Sequence, residues 1–239
     1  MQKPRLAERG FFFTKRMKRF AVVVAAGSGK RMGAPLPKQF LLLAGKPLLM
    51  HTLERLYEFD SELNILLALH PDFIDYWNEI KVQHDFAIPH TVITGGEERF
   101  HSVKSALAII DDETAVVGIH DGVRPLVSID TLRRCYEVAE TIGNAIPVVQ
   151  LNDSLREVEG TESHAVDRSK FRSVQTPQCF RMSQLKAAFH QEFTSLFTDD
   201  ASVVESAGYE IHLVEGNREN VKITSPEDLR WAQWLLANG

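Results

Sequence analysis

The feature that most constrains this chain is an alternation of two kinds of segment. Short apolar runs recur at FAVVVAA (20–26), LNILLALH (63–70), HTVITGG (90–96), TAVVGIHDGVRP (114–125) and NAIPVVQL (144–151). Between them lie PLLMHTLERLYEF (47–59), PDFIDYWNEIKVQH (71–84), EERFHSVKSALAII (97–110) and SIDTLRRCYEVAETIG (128–143), with apolar residues at helical spacing. Strands that are apolar along nearly their whole length need helices on both faces. Strand and helix in alternation then predict an α/β fold: a Rossmann-like, mostly parallel sheet flanked by helices and joined by right-handed crossovers. On such a sheet, ligands gather at the carboxyl ends of the strands.

The pattern changes at residue 151. LNDSLREVEGTESHAVDRSKF (151–171) is polar, with short alternating pieces around Glu159 and Gly160. It reads as a hairpin projecting from the body in preference to a mobile surface loop. Beyond it, SQLKAAFHQEF (183–193) is helical, TDDASVVESAG (198–208) a capped short helix, YEIHLVEG (209–216) a strand and SPEDLRWAQWLLANG (225–239) the closing helix. From the residues alone Thr198 caps the short helix. Ser225 caps the last one, with Pro226 at its first position and Glu227 and Asp228 in its first turn. The division expected is one domain over 17–239, with an arm at about 151–170. Residues 1–16 are a basic extension, and Met17 is a plausible natural start.

Charge and composition exclude several classes. A formal net charge of −5 argues against a general nucleic-acid binder. No apolar run approaches the ~20 residues that span a bilayer, and Phe11, Phe12 and Phe13 are too few to make a secretory signal. Cys135 and Cys179 lack metal-ligand spacing and read as free thiols, so a cytoplasmic location is expected.

The first strand runs into VVVAAGSGKRMGAPLPKQF (22–40). A P-loop would need glycine where Val24 stands and a hydroxyl residue where Arg31 stands. A dinucleotide fingerprint would need a third glycine where Met32 stands, and an acid at the end of the second strand. Both fail. A nucleotide loop of another kind remains: Ala25, Ala26, Gly27 and Gly29 allow backbone amides to approach a phosphate or base edge, while Arg31 and Lys38 flank a proline-stiffened turn. Two cations on a stiff loop suit a reaction in which negative charge builds at phosphorus.

A-A-G-x-G-x-R-M followed by P-K-Q resembles the opening of the 2-C-methyl-D-erythritol 4-phosphate cytidylyltransferases of non-mevalonate isoprenoid biosynthesis. GGEERFHSV (95–103), HDGVRP (120–125), VDRSKF (166–171), QTPQCF (175–180), FTDDAS (197–202) and EGNRENVKITSPEDL (215–229) follow in the family's order. The resemblance spans roughly 20 to 236. It implies transfer of CMP from CTP to a polyol phosphate with release of pyrophosphate. Arg31, Lys38 and Lys222 would stabilise the reacting phosphorus. Ala25, Ala26, Gly27, Gly29, Gly96, Glu97 and Ser102 would hold the nucleotide. Arg124, Ser154, Arg168, Thr176, Thr198 and Asp199 would bind the acceptor, and Asp121 would hold Mg2+. The residues alone leave Asp121 equally readable as the turn residue before Gly122. The hairpin becomes a dimerisation arm that completes the partner's substrate site.

Four positions depart from the family's usual pattern: Gly122 and Val123 stand in place of two alanines, His101 in place of an aspartate, and Ser154 in place of a threonine. His120 reads as structural, because an anionic phosphate nucleophile needs no base. The nearest rival is a ribitol 5-phosphate cytidylyltransferase. A more distant one is a nucleotide-binding module without chemistry, which would bind CTP and release no pyrophosphate.

Overall fold

The computed structural model describes residues 16–27 and 36–238. Residues 1–15 of the 1–16 extension, together with Gly29 and Arg31, therefore lie outside the described residues. In chain order the elements are β1 (Arg19–Ala25), β2 (Leu42–Leu43), β3 (Lys46–Pro47), α1 (Leu48–Phe59), β4 (Asn64–Leu69), α2 (Ile74–Gln83), β5 (Thr91–Thr94), α3 (Arg99–Leu107), β6 (Val116–Asp121), α4 (Ile129–Ile142), β7 (Asn144–Gln150), β8 (Leu155–Glu159), β9 (Glu162–Val166), β10 (Arg172–Val174), β11 (Gln178–Arg181), α5 (Met182–Ala188), α6 (Asp200–Ser206), β12 (Leu213–Glu215) and α7 (Pro226–Asn238).

Among the described residues one eight-stranded sheet runs β10-β7-β11-β6-β1-β4-β5, with β12 also on β7. The β6-β1-β4-β5 half is parallel, as the alternation predicts. Its register sets the site: Val24 pairs with Asp121, Ala25 with Leu69, and Leu69 with Thr94. Three strand ends thus lie level, and the loops after β1, β5 and β6 leave the sheet together. Two apolar layers hold this half rigid. Leu49, Leu53, Leu67, Trp77 and Tyr136 pack on one face, and Val22, Val103, Val117, Phe180 and Leu185 on the other, all fully buried. Each buried aliphatic side chain stabilises by about 1.5–3 kcal/mol.

The other half departs from simple alternation. β11 inserts antiparallel between β6 and β7, and β10 pairs antiparallel to β7. Gln178, Cys179 and Phe180 are fully buried, so no polar face betrays the strand in the sequence. Three local expectations also need correction. The α6 cap is Asp199, one residue after Thr198, because its carboxylate accepts from the Ser202 N–H at 2.9 Å while the Ser202 hydroxyl closes the reciprocal bond. α5 stops at Ala188, since Phe189 turns back to stack on Phe100 with centroids 4.8 Å apart. β12 keeps only three residues, because the Asn144 side chain takes the Glu210 carbonyl and the His212 N–H at 2.9 Å each. Ser225 does cap α7, accepting from the Asp228 N–H. Cys135 and Cys179 are free and buried.

The 151–171 segment forms an antiparallel hairpin, β8 on β9, with Glu159 opposite Glu162. Gly160 has φ +60° at the turn, a left-handed conformation that glycine adopts without steric cost.

Candidate functional site

A cavity of about 240 Å³ opens where the three loops leave the parallel half. Val24, Ala25, Ala26, Gly27, Lys38, Gln39, Gly96, Glu97, Glu98, Arg99, Ser102, Asp121, Val123 and Lys222 line it. Nine of the residues singled out from the sequence meet here: Ala25, Ala26, Gly27, Lys38, Gly96, Glu97, Ser102, Asp121 and Lys222.

One wall is built from close backbone approach. A Cβ on Gly95 would lie 2.4 Å from the Cβ of Ala26, so only glycine lets the β5 loop rest on the β1 loop. The Ser102 hydroxyl accepts from the Gly96 N–H at 3.1 Å and donates to the Glu98 carbonyl at 3.2 Å, fixing the loop's curvature. Glu97 stays exposed at the rim. His101 is turned away: its ring packs 5.3 Å from Phe193 and 5.5 Å from Phe100. The opposite wall is pinned by Gln39, which is 2% exposed and donates to the carbonyls of Ala25 at 2.6 Å and Gly27 at 3.2 Å. That anchor sets the position of Lys38.

Asp121 is the electrostatic centre. Lys222 Nζ and Arg124 Nε each lie 3.1 Å from its Oδ2, and Arg99 Nε lies 3.6 Å from its Oδ1. Burial alone would raise its pKa. The facing Arg99, Lys222 and Arg124 outweigh burial and hold it well below the usual carboxylate range, so it is ionised throughout the physiological range. Lys222 reaches Asp121 because Asn220, fully buried, donates to the Thr176 carbonyl at 2.8 Å and receives Arg124 Nη1 on its own carbonyl at 2.7 Å. Arg124 therefore sits behind the cavity, tied to Asp121 and Asn220.

His120 and Thr176 form the floor. The Thr176 hydroxyl accepts from the Asp121 N–H at 3.1 Å and lies 2.9 Å from His120 Nδ1, and His120 Nε2 lies 3.1 Å from the Arg124 carbonyl. A carbonyl can only accept, so these partners assign the proton to Nε2 and leave Nδ1 accepting from Thr176. Burial lowers the imidazole to about 4. His120 is thus a neutral strut, and Thr176 is committed inward.

The remaining acceptor residues are spread more widely. Asp199 caps α6 and accepts from Gln178 Nε2 at 2.7 Å, and Thr198 precedes it. Ser154 and Arg168 are exposed in the arm, and neither lines the cavity. The Arg168 guanidinium donates to the Asn152 carbonyl at the arm's root. A larger hollow of about 680 Å³ lies beside β7 and β12. Arg172, Arg218 and Glu215 are among its lining residues, and Arg172 Nη1 donates to the carbonyls of Ser169 and Phe171. Sequence reasoning missed Arg99, Gln39 and Asn220. Each stands inside a motif already quoted, and each signals itself only through a buried partner distant in the chain.

Among the described residues no group of three His, Cys, Asp or Glu side chains could hold a metal. The protein offers Asp121 as a single ionised carboxylate. That suits Mg2+, which is commonly bound by one or two carboxylates and takes its other ligands from substrate phosphates and water.

A family model described as IspD, 2-C-methyl-D-erythritol 4-phosphate cytidylyltransferase, matches residues 20–238. The 2-C-methyl-D-erythritol 4-phosphate cytidylyltransferase of Bacteroides thetaiotaomicron is 50% identical over 220 residues, covering 92% of this chain and 100% of that protein. The protein of the same name from Bacteroides fragilis gives the same identity and coverage. The crystal structure of the Francisella tularensis 2-C-methyl-D-erythritol 4-phosphate cytidylyltransferase superposes with a TM-score of 0.76 at 30% identity, covering 91% of this chain and 99% of that one.

Proposed function

This chain belongs to the 2-C-methyl-D-erythritol 4-phosphate cytidylyltransferase family, and from that premise we propose how its cavity works on CTP and methylerythritol phosphate. The chain is a nucleotidyltransferase that makes 4-diphosphocytidyl-2-C-methyl-D-erythritol. An oxygen of the acceptor phosphate attacks the α-phosphorus of CTP, the bond to the β-phosphate oxygen breaks, and pyrophosphate leaves with the electron pair. Phosphate monoesters lose their second proton near pH 6, so no general base is needed. The neutral, fully engaged His120 agrees with that.

The observation that carries the reading is the convergence of Lys222, Arg124 and Arg99 on Asp121, beside Lys38 and the small-residue loop after β1. Two anionic reactants must be brought together, and preorganised cations offset their repulsion where charge develops. Lys38, Lys222 and Arg31 are the cations assigned to the reacting phosphorus. Ala25, Ala26, Gly27, Gly29, Gly96, Glu97 and Ser102 take the nucleotide. Asp121 would hold Mg2+, which when bound neutralises triphosphate charge. Arg124, Thr176, Thr198 and Asp199 shape the acceptor side. Ser154 and Arg168, remote from the cavity of their own subunit, serve the acceptor in a homodimer whose arms cross. A location in the cytoplasm fits a chain in which no helix of the described residues is long and apolar enough to cross a membrane.

The deciding assay supplies CTP, Mg2+ and either methylerythritol 4-phosphate or ribitol 5-phosphate and follows pyrophosphate. Release with the first acceptor at far higher kcat/KM is the expected outcome. Preference for ribitol phosphate would transfer the reading to the rival enzyme. CTP binding with no release from either would leave only a binding module.

A further inference from the structure

Arg99 enters the reading above only through its charge on Asp121, yet among the described residues it is the one guanidinium at this cavity that touches two carboxylates on different elements. It opens α3, directly after the loop of Gly95 to Glu98 that forms the nucleotide wall. Its Nη2 lies 2.6 Å from Asp200 Oδ2, and its Nε lies 3.6 Å from Asp121 Oδ1. Asp200 is 1% exposed and opens α6, next to Thr198 and Asp199 on the acceptor side. A carboxylate so buried is costly unless a cation faces it, and Arg99 is the cation that does. The planar fork of arginine can serve both carboxylates at once, which a lysine ammonium does less well.

The acceptor segment has two further anchors, both from the sheet. Gln178, fully buried on β11, donates to Asp199 Oδ2 at 2.7 Å and accepts from the Ala201 N–H at 2.9 Å. That contact is independent of the nucleotide loop. The Arg99 contact is not, because whatever orders residues 95–98 also orders the first turn of α3.

Resting on the cytidylyltransferase reading, we propose that Arg99 is a positioning residue that transmits nucleotide occupancy to the acceptor segment 198–200 through Asp200. CTP seated on the β5 loop fixes Arg99. Arg99 fixes Asp200, and Thr198 and Asp199 are then held for the second substrate. Coupling between two sites is reciprocal, so the acceptor tightens CTP by the same factor.

The test uses full-length protein with CTP and methylerythritol 4-phosphate. In wild type, CTP slows amide hydrogen exchange over residues 196–202. In Arg99→Met that slowing disappears, the acceptor KM rises about tenfold, and the CTP dissociation constant moves by less than about threefold. Asp200→Asn shows the same split, and Arg99→Lys recovers part of it. The Arg99→Met/Asp200→Asn double variant, which leaves no charge buried alone, is no worse than Arg99→Met and controls for misfolding. An active wild type whose 196–202 exchange ignores CTP overturns the inference alone, as does an unchanged acceptor KM in Arg99→Met and Asp200→Asn. Wild type that releases no pyrophosphate overturns the function and this inference with it.

Discussion

The cavity and the arm sit in one chain and are held by opposite means. Around the cavity, Ala21, Val22, Val23, Val116, Val117 and Ile119 are fully buried on β1 and β6, and His120, Gln178 and Asn220 are buried and hydrogen-bonded beneath the charged residues. In the arm, β8 and β9 are exposed almost throughout and pair only with each other. A two-stranded hairpin without an apolar face is marginal in water. The difference teaches where preorganised charge can be placed. Lysines and arginines aimed at a reacting phosphorus need a floor that does not relax, and the cavity has one. The arm has none of its own, and in the proposed homodimer a second subunit would supply one for Arg168.

Four measurements sharpen or break that contrast, the largest effect first. Lys38→Ala should lose at least about a hundredfold in turnover, equivalent to about 2.7 kcal/mol or more for one preorganised charge, while CTP affinity falls less. Turnover at the wild-type level would remove Lys38 from the chemistry. Second, the buried floor should show in pH-dependent stability. His120 is neutral in the fold down to about 4, whereas the unfolded chain takes up the proton near 6.5. The unfolded state then binds more protons across that window, so stability rises with pH from about 4 to about 6.5, by about 3 kcal/mol from this group. Burial lowers His51 and His90 as well, and they add in the same sense. Denaturant titrations of His120→Gln should lose about one proton's worth of slope; an unchanged slope would contradict the neutral strut.

Third, Arg168→Ala should raise the acceptor KM about tenfold, roughly 1.4 kcal/mol, with little change in CTP affinity. Equal loss for both substrates would place Arg168 elsewhere. Smallest of all, Arg156 bonds to Ser163 across the exposed hairpin. Arg156→Ala should change global stability by less than about 0.5 kcal/mol by thermal melting, and a larger loss would mean the arm is part of the main cooperative unit.

Much of this was legible before any coordinates. The parallel half was readable because its strands are apolar throughout and its helices carry a 3.6-residue period. The hairpin was readable from alternation around Glu159 and Gly160. Lys38 was reachable as a cation on a proline-stiffened loop, whereas Asp121 and Lys222 were singled out through the resemblance and not by their local sequence alone. β10 and β11 escaped notice, and so did the early ends of α5 and β12. Buried short strands carry no alternation, and Phe189 and Asn144 answer to partners far along the chain.

What the sequence determined by itself was the layered α/β plan and the small-residue, cation-bearing loop after β1, since periodicity and loop chemistry are local properties. Only the tertiary structure decided that Arg99 shares Asp121 with Lys222 and reaches Asp200 on α6. A salt bridge between residues a hundred positions apart leaves no period to read. It exists because the fold brings those helix starts and loops together and burial makes an unpaired charge too costly to keep.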